Sequence, residues 1–259
     1  MATITTLERG QAETTLPAPR ARIGMIVPSV NSMTEPQFNH FAPPGLGVHV
    51  ARARVAGPWK RPLAAMADEI ATSAKLLADV APDLIIFHCT DTSMTQGPQG
   101  ESRILDIIQD ATGIAALATS RLVLEALQAL GLRSLILLSP YKSNRAVVEY
   151  LGATGFTVVH DVALGLEGLE FAAVTPNEWA QLARKHDRSD ADGIFLSCTN
   201  TTQIEAIEDI ERALGKPVVN SNQAVLWGCL KRLQPMLGPL PAMPRLGRLM
   251  QHMWMGEKR

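Results

Sequence analysis

The sequence is poor in cysteine, in aromatic side chains and in excess charge of either sign. Three cysteines among 259 residues are odd in number and too few for a disulfide framework, so a reducing, cytoplasmic setting is expected. Lys and Arg number 24 against 25 Asp and Glu, a formal charge of −1. A balance so even supplies no field for nucleic acid or an anionic membrane, and neither is expected as a partner. Aromatic residues at 5% leave few stacking platforms for single-stranded nucleic acid. The longest apolar runs, such as Leu135–Leu138, are strand-sized and far short of a membrane span. Residues 1–22 lack the apolar core of a secretion signal, and Pro17 and Pro19 interrupt any helix there, so they read as a flexible leader. Paired C-x-x-C cysteines, metal-ligand spacing among the six histidines, the Rossmann glycine pattern and the P-loop lysine are all missing. No metal or cofactor is therefore expected. A hydrophobic fraction of 46% excludes disorder and leaves a soluble α/β enzyme or a small-molecule binder.

What is present is alternation. Ile23–Val27, Gly47–Val55 and Asp83–Phe87 read as strands, and Leu63–Val80 carries apolar residues at three- and four-residue steps, an amphipathic helix. Helices follow around Ile104–Ile108 and over Thr119–Leu130, the latter stopped by Gly131. The theme then repeats: strands at Ser134–Leu138, Thr157–Val159, Gly193–Leu196 and Pro217–Val219 alternate with helices at Asn144–Leu151, Trp179–Lys185, Thr202–Leu214 and Ser221–Leu233. Gly97-Pro-Gln-Gly100 reads as a turn, and Pro235–Pro244 as a surface connection. Such alternation implies parallel sheets covered by helices on both faces. The expected division is a leader (1–22), a first α/β domain (23–131), a second (132–233), and a C-terminal segment (234–259) packing back on the first.

Within the alternation lies an internal echo. Asp83-Leu-Ile-Ile-Phe-His-Cys89-Thr-Asp-Thr-Ser93 matches Asp192-Gly-Ile-Phe-Leu-Ser-Cys198-Thr-Asn-Thr-Thr202 in the pattern Asp-x-Ile-x-x-x-Cys-Thr-(Asp/Asn)-Thr-(Ser/Thr). The cysteines stand 109 residues apart, each at the carboxyl end of a strand, where open α/β sheets bind ligands. Two similar domains related by pseudo-two-fold symmetry would bring both thiols into one cleft. Thr202 followed by Glu205 fits a capping box, and a helix N-terminus there would favour a thiolate and a bound carboxylate. The hydroxyls of Thr90, Thr92, Thr199 and Thr201 would add neutral donors. A strand-end cysteine is otherwise a small buried hydrophobe. Cys229, in the apolar pattern Val225, Leu226, Leu230, is read that way. His88 points to the opposite side of its strand from Cys89 and is read as structural.

The echoed Cys-Thr motifs resemble the aspartate/glutamate racemase superfamily. Ile23-Gly-Met-Ile-Val-Pro-Ser-Val-Asn31, Cys89 with Gly97-Pro-Gln-Gly-Glu101, Ser139-Pro-Tyr141, Leu196-Ser-Cys198 and Gly215-Lys-Pro-Val-Val219 are more closely similar to its branch of maleate cis-trans isomerases and arylmalonate decarboxylases. The resemblance implies two α/β domains with the active site between them. It also implies a cofactor-independent cis-trans isomerase of a small unsaturated carboxylic acid, with Cys89 as nucleophile and Cys198 as acid/base. Asn31 and Tyr141 match positions that hold substrate carboxylate, and Ser29, Thr90, Asp91, Thr199 and Leu169 complete the expected binding set. After Cys89 this chain has Thr-Asp-Thr-Ser-Met where the isomerases carry a more apolar stretch, and Asp91 there would either repel a dianion or cap a turn. The segment Ala163–Glu170 is closer to the decarboxylases, whose apolar pocket expels a carboxylate, although those enzymes carry Gly where this chain has Cys89. Racemisation or decarboxylation through an enediolate is thus an alternative, and a non-catalytic carboxylate-binding protein a third. Family precedent implies a homo-oligomer.

Overall fold

In a computed structural model, which describes residues 18–255, the chain folds into two four-stranded parallel sheets. The first half runs β1 (Ala21–Pro28), α1 (Thr34–Phe41), β2 (Leu46–Ala53), α2 (Leu63–Ala78), β3 (Leu84–Phe87), α3 (Thr90–Thr95), α4 (Gly97–Thr112), β4 (Ala116–Ala118) and α5 (Thr119–Ala129). The second runs β5 (Ser134–Ser139), α6 (Arg145–Ala153), β6 (Thr157–Ala163), α7 (Glu170–Ala173), α8 (Pro176–Lys185), β7 (Gly193–Leu196), α9 (Ile207–Leu214), β8 (Val218–Asn220), α10 (Ser221–Leu237) and α11 (Gly247–Met255).

The strand orders are β2-β1-β3-β4 and β6-β5-β7-β8, the same order displaced by four strands. This is the two-fold repeat that the echoed motifs imply. In each sheet the cysteine-bearing strand lies beside the first strand of its half, Ile23 opposite Leu84 and Leu135 opposite Gly193. The central strands β1, β3, β5 and β7 are continuous apolar runs because helices cover both of their faces. One apolar core runs from β1 through α5 into the second sheet and α10. Helices α5 and α10 approach closely at Gly228, where a Cβ would meet Leu122 Cδ2 at 2.5 Å. A second core lies between α2, α4 and the first sheet.

Several local expectations change. Gly97–Gly100 is not a turn but opens α4: Gly97 has φ +68 and Pro98 takes the first turn, where its missing N–H costs nothing. Helix α10 continues past Leu233 through Pro235, which sits in the last turn and interrupts only one backbone bond there. The capping box at Thr202 is absent. The Thr202 hydroxyl donates instead to the Val174 carbonyl, and residues 203–206 form a 3₁₀ turn before α9. Residues 21 and 22 belong to β1, and positions 1–17 of the expected leader lie outside the described residues. Among the described residues no helix is long and apolar enough to cross a membrane.

Candidate active site

A cavity of about 610 Å³ opens between the two sheets and is lined from both halves, with Asn31, Cys89, Thr90 and Asp91 on one side and Tyr141, Cys198 and Thr199 on the other. Its size is that of a pocket for a drug-sized ligand. Most of its wall is apolar, built from Pro28, Val30, Ala56 and Pro58 of the first half and Leu166 and Phe171 of the second. Two members of the expected set lie elsewhere. Ser29 is not among the lining residues, and its backbone is tied to Ala53 and Arg52. Leu169 is 75% exposed and points away, because Gly168, with φ +55, turns the chain so that Leu166 and Phe171 face inward instead.

Each cysteine is buried where its strand ends. The Cys89 thiol donates to Thr92 Oγ1 at 3.1 Å, and the Thr92 hydroxyl is committed in turn to the Val55 carbonyl at 2.7 Å. The hydrogen-bond chain therefore fixes the position of the Cys89 sulfur. Burial, and after it the Asp91 carboxylate, push this thiol up to about 11, against the opposing pull of Thr92 and Lys60. Cys198 is arranged the other way round: its sulfur accepts from the Asn200 N–H at 3.3 Å, and the nearby Tyr141 hydroxyl favours its thiolate. Burial still pushes it up to about 12. The lowered thiol pKa that a following helix would produce is absent. No α-helix starts at Cys198, and at Cys89 desolvation outweighs the short α3. Cys198 has φ +146, a conformation that ordinarily selects glycine, and such strain in non-glycine residues concentrates at functional sites.

The two cysteine loops are joined by Ser221, the first residue of α10. Its buried hydroxyl oxygen accepts from the Cys198 N–H at 3.2 Å and from Thr90 Oγ1 at 2.9 Å. Asn31 forms a second bridge between halves. Its side-chain amide donates to Thr199 Oγ1 at 3.1 Å, while its carbonyl oxygen accepts from the Met33 and Thr34 backbone. Asn200 Oδ1 takes the Ser32 N–H at 2.8 Å, and Gln37 Nε2 donates to the Thr201 carbonyl at 2.6 Å. Behind this clamp His88 is fully buried, held between Thr119 Oγ1 at 3.0 Å and Asn222 Oδ1 at 2.9 Å. The Asn222 amide nitrogen faces the Thr199 carbonyl, which fixes the orientation and makes His88 Nε2 the protonated nitrogen. Burial lowers the His88 pKa to about 3, so it is a neutral structural link and not an acid/base.

Asp91 neither caps a turn through its side chain nor stands as a bare charge. Lys60 grips both its carboxylate oxygens, at 2.7 and 2.9 Å, and adds Thr95 Oγ1 at 3.0 Å. Lys142 pairs with Glu167 on the opposite rim. Among the described residues no group of three His, Cys, Asp or Glu could hold a metal.

The sequence model of arylmalonate decarboxylase matches residues 23–242. The chain belongs to the arylmalonate decarboxylase family. Within it, the chain is 30% identical over 244 residues to a maleate isomerase of Nocardia farcinica, covering 89% of this chain and 95% of that one. It is 28% identical over 190 residues to an arylmalonate decarboxylase of Bordetella bronchiseptica, covering 71% and 78%. Two solved structures are similar throughout. One is the Nocardia farcinica isomerase, a cysteine-to-serine mutant with a covalently bound succinylcysteine intermediate (TM-score 0.79, 26% identity, 89% of this chain and 98% of that one). The other is an arylmalonate decarboxylase (TM-score 0.77, 27% identity, 89% and 99%). Both kinds of enzyme are thus relatives, at nearly equal distance.

Sequence reasoning missed Lys60, Ser221, Leu166 and Phe171. Lys60 sits in a proline-rich loop without a motif, Ser221 looked like a helix start, and the two apolar residues are indistinguishable from core in one dimension.

Proposed function

We propose that this chain is a cofactor-independent enzyme that isomerises the double bond of a small unsaturated carboxylic acid, with Cys89 and Cys198 carrying the chemistry. The observation that supports this most directly is the pair of buried thiols, one from each echoed strand end, lining a single cavity. The working form has one proton between the two sulfurs. The Cys89 thiolate adds to one carbon of the double bond while Cys198 gives its proton to the other, so that the former double bond becomes a C–C single bond free to rotate. Cys198 then takes a proton back from that carbon, the C–S bond breaks, and its electron pair returns to Cys89. A soft thiolate suits such an addition. The backbone and hydroxyl donors around Asn31, Thr90, Thr199 and Tyr141 would hold the carboxylate through the rotation. The succinylcysteine intermediate of the Nocardia relative has the composition such an adduct requires.

A second reading, racemisation or decarboxylation through an enediolate, is favoured by the apolar wall of Leu166 and Phe171, which would desolvate a carboxylate or seat an apolar substituent. The two are separated by incubating the protein in D₂O with cis-unsaturated acids and with 2-substituted malonic acids, following products by NMR and the Cys198→Ser variant by mass spectrometry. Double-bond isomerisation with an acid-sized adduct on Cys89 is the expected result. Deuterium entering an α-carbon with no isomerisation and no adduct overturns the isomerase reading in favour of the second.

A further inference from the structure

The rim of the cavity is built so that its charges cancel. Lys60 and Lys142 are the lining cations and Asp91 and Glu167 the lining anions, and each lysine is already paired with one of the acids. The Lys142–Glu167 pair is about two-thirds exposed and contributes little. The Lys60–Asp91 pair is different. Both partners are about one-third exposed, the ammonium touches both carboxylate oxygens and Thr95 holds it from a third direction. Asp91 follows Cys89 by two residues, and its charge is felt at Cys89, Cys198 and Tyr141. Opposite stand Leu166 and Phe171, with no charged or amide group of their own.

We propose that Lys60 and Asp91 together determine the charge of the substrate: by masking Lys60, Asp91 makes the site select an acid with one ionised carboxylate and an apolar substituent over a dianionic diacid. This rests on the reading of the cavity as a carboxylate site and narrows its substrate class. One carboxylate finds neutral donors around Asn31, Thr90 and Thr199. A second would meet either the apolar wall, where an unpaired charge is costly, or a lysine whose charge is already spent. For a diacid to recruit Lys60 it must strand Asp91 beside a second anion.

The test reads local charge and acid preference separately. Cys89 is alkylated with neutral iodoacetamide and anionic iodoacetate, with adducts assigned by peptide mass mapping, in the wild type, Asp91→Asn and Lys60→Gln. The ratio of the two rates cancels changes in thiol pKa. Unmasking Lys60 in Asp91→Asn should raise the iodoacetate-to-iodoacetamide ratio about three- to tenfold, and Lys60→Gln should lower it by a similar factor. Isocrotonate, a cis monoacid, and maleate, its diacid counterpart, are then compared as protectants of Cys89 against iodoacetamide. Isocrotonate should protect the wild type at lower concentration, and Asp91→Asn should shift the preference toward maleate. Ratios that stay unchanged in both variants, or a wild type that maleate protects better than isocrotonate, overturn the proposal. Protection by neither acid sinks the carboxylate reading itself, and the alkylation ratios still decide whether the pair sets the charge at Cys89.

Discussion

Replacing Ser221 by alanine removes one oxygen that serves both cysteine loops. Two buried donors lose their acceptor, the Cys198 N–H at 3.2 Å and the Thr90 hydroxyl at 2.9 Å. They are not equivalent. The Thr90 hydroxyl can rotate toward another acceptor, for a net loss of ~1 kcal/mol. The Cys198 N–H is fixed by a backbone at φ +146 and cannot turn, so it carries the full cost of an orphaned buried donor, ~1–3 kcal/mol. The sum is about 2–4 kcal/mol, and a chain of this length loses roughly 2–4 °C of Tm for each. Thermal denaturation measures the loss. Hydrogen exchange at the Cys198 amide reports its origin, because that amide should lose protection while the β5 and β7 amides nearby keep theirs. A variant within 1 kcal/mol of wild type, with Cys198 still protected, would mean that Ser221 is only a space-filling helix start and that the strain at Cys198 is held by something else.

Three further outcomes follow from other buried groups. The folded His88 pKa of about 3 lies below the ordinary value of 6.5, so its contribution is complete above pH 6.5 and is lost as pH falls toward 3. Stability should decline by roughly 1 kcal/mol per pH unit over that window, and the decline should flatten in His88→Asn; equal slopes in the two proteins refute it. The thiols behave oppositely: folded values of about 11 for Cys89 and about 12 for Cys198 exceed the ordinary 9.0. Their contribution is therefore full below pH 9 and lost as pH rises through 11 to 12. Alkylation of both cysteines should keep accelerating with pH beyond 9, and a plateau at neutral pH would show that a thiolate is stabilised at rest. Gly247→Ala should destabilise the chain by ~1–3 kcal/mol and release α11 to protease. Gly247 has φ +68, and a Cβ there would meet Ile207 Cγ2 at 2.6 Å and the buried Glu211 Oε2 at 2.8 Å; an unchanged Tm argues against this.

How legible the molecule was depends on how local each signal is. The long strands and helices carry their periodicity in consecutive residues, so β1, β3, β5, β7, α2 and α5 could be read directly. The elements that escaped are short or weakly patterned: β4 has three residues, and α1 buries Phe38 as its only large apolar side chain. Thr202 misled because Ser/Thr-x-x-Glu is also a common loop sequence, and the Val174 carbonyl competed for its hydroxyl. Leu169 misled because it lies in a segment with φ-positive glycines at 165 and 168, where which side chain faces inward no longer follows from spacing.

By itself, the amino-acid order determined the repeat. Two Asp-x-Ile-x-x-x-Cys-Thr segments on alternating strands and helices dictate two similar parallel sheets with a cysteine at corresponding strand ends, because strand ends and helix starts are set by nearby residues. It also divided three cysteines into an echoed pair and a core residue, Cys229, which is fully buried. What only the tertiary structure decided is everything that depends on which loops meet across the cleft. Lys60 neutralises Asp91 from 31 residues away, Asn31 reaches Thr199 across 168, and Ser221 binds Thr90 across 131. The thiol pKa values belong to the same class. Local order predicts a helix N-terminus and a lowered value, whereas desolvation by the whole fold raises it, and desolvation is a property of a closed three-dimensional site.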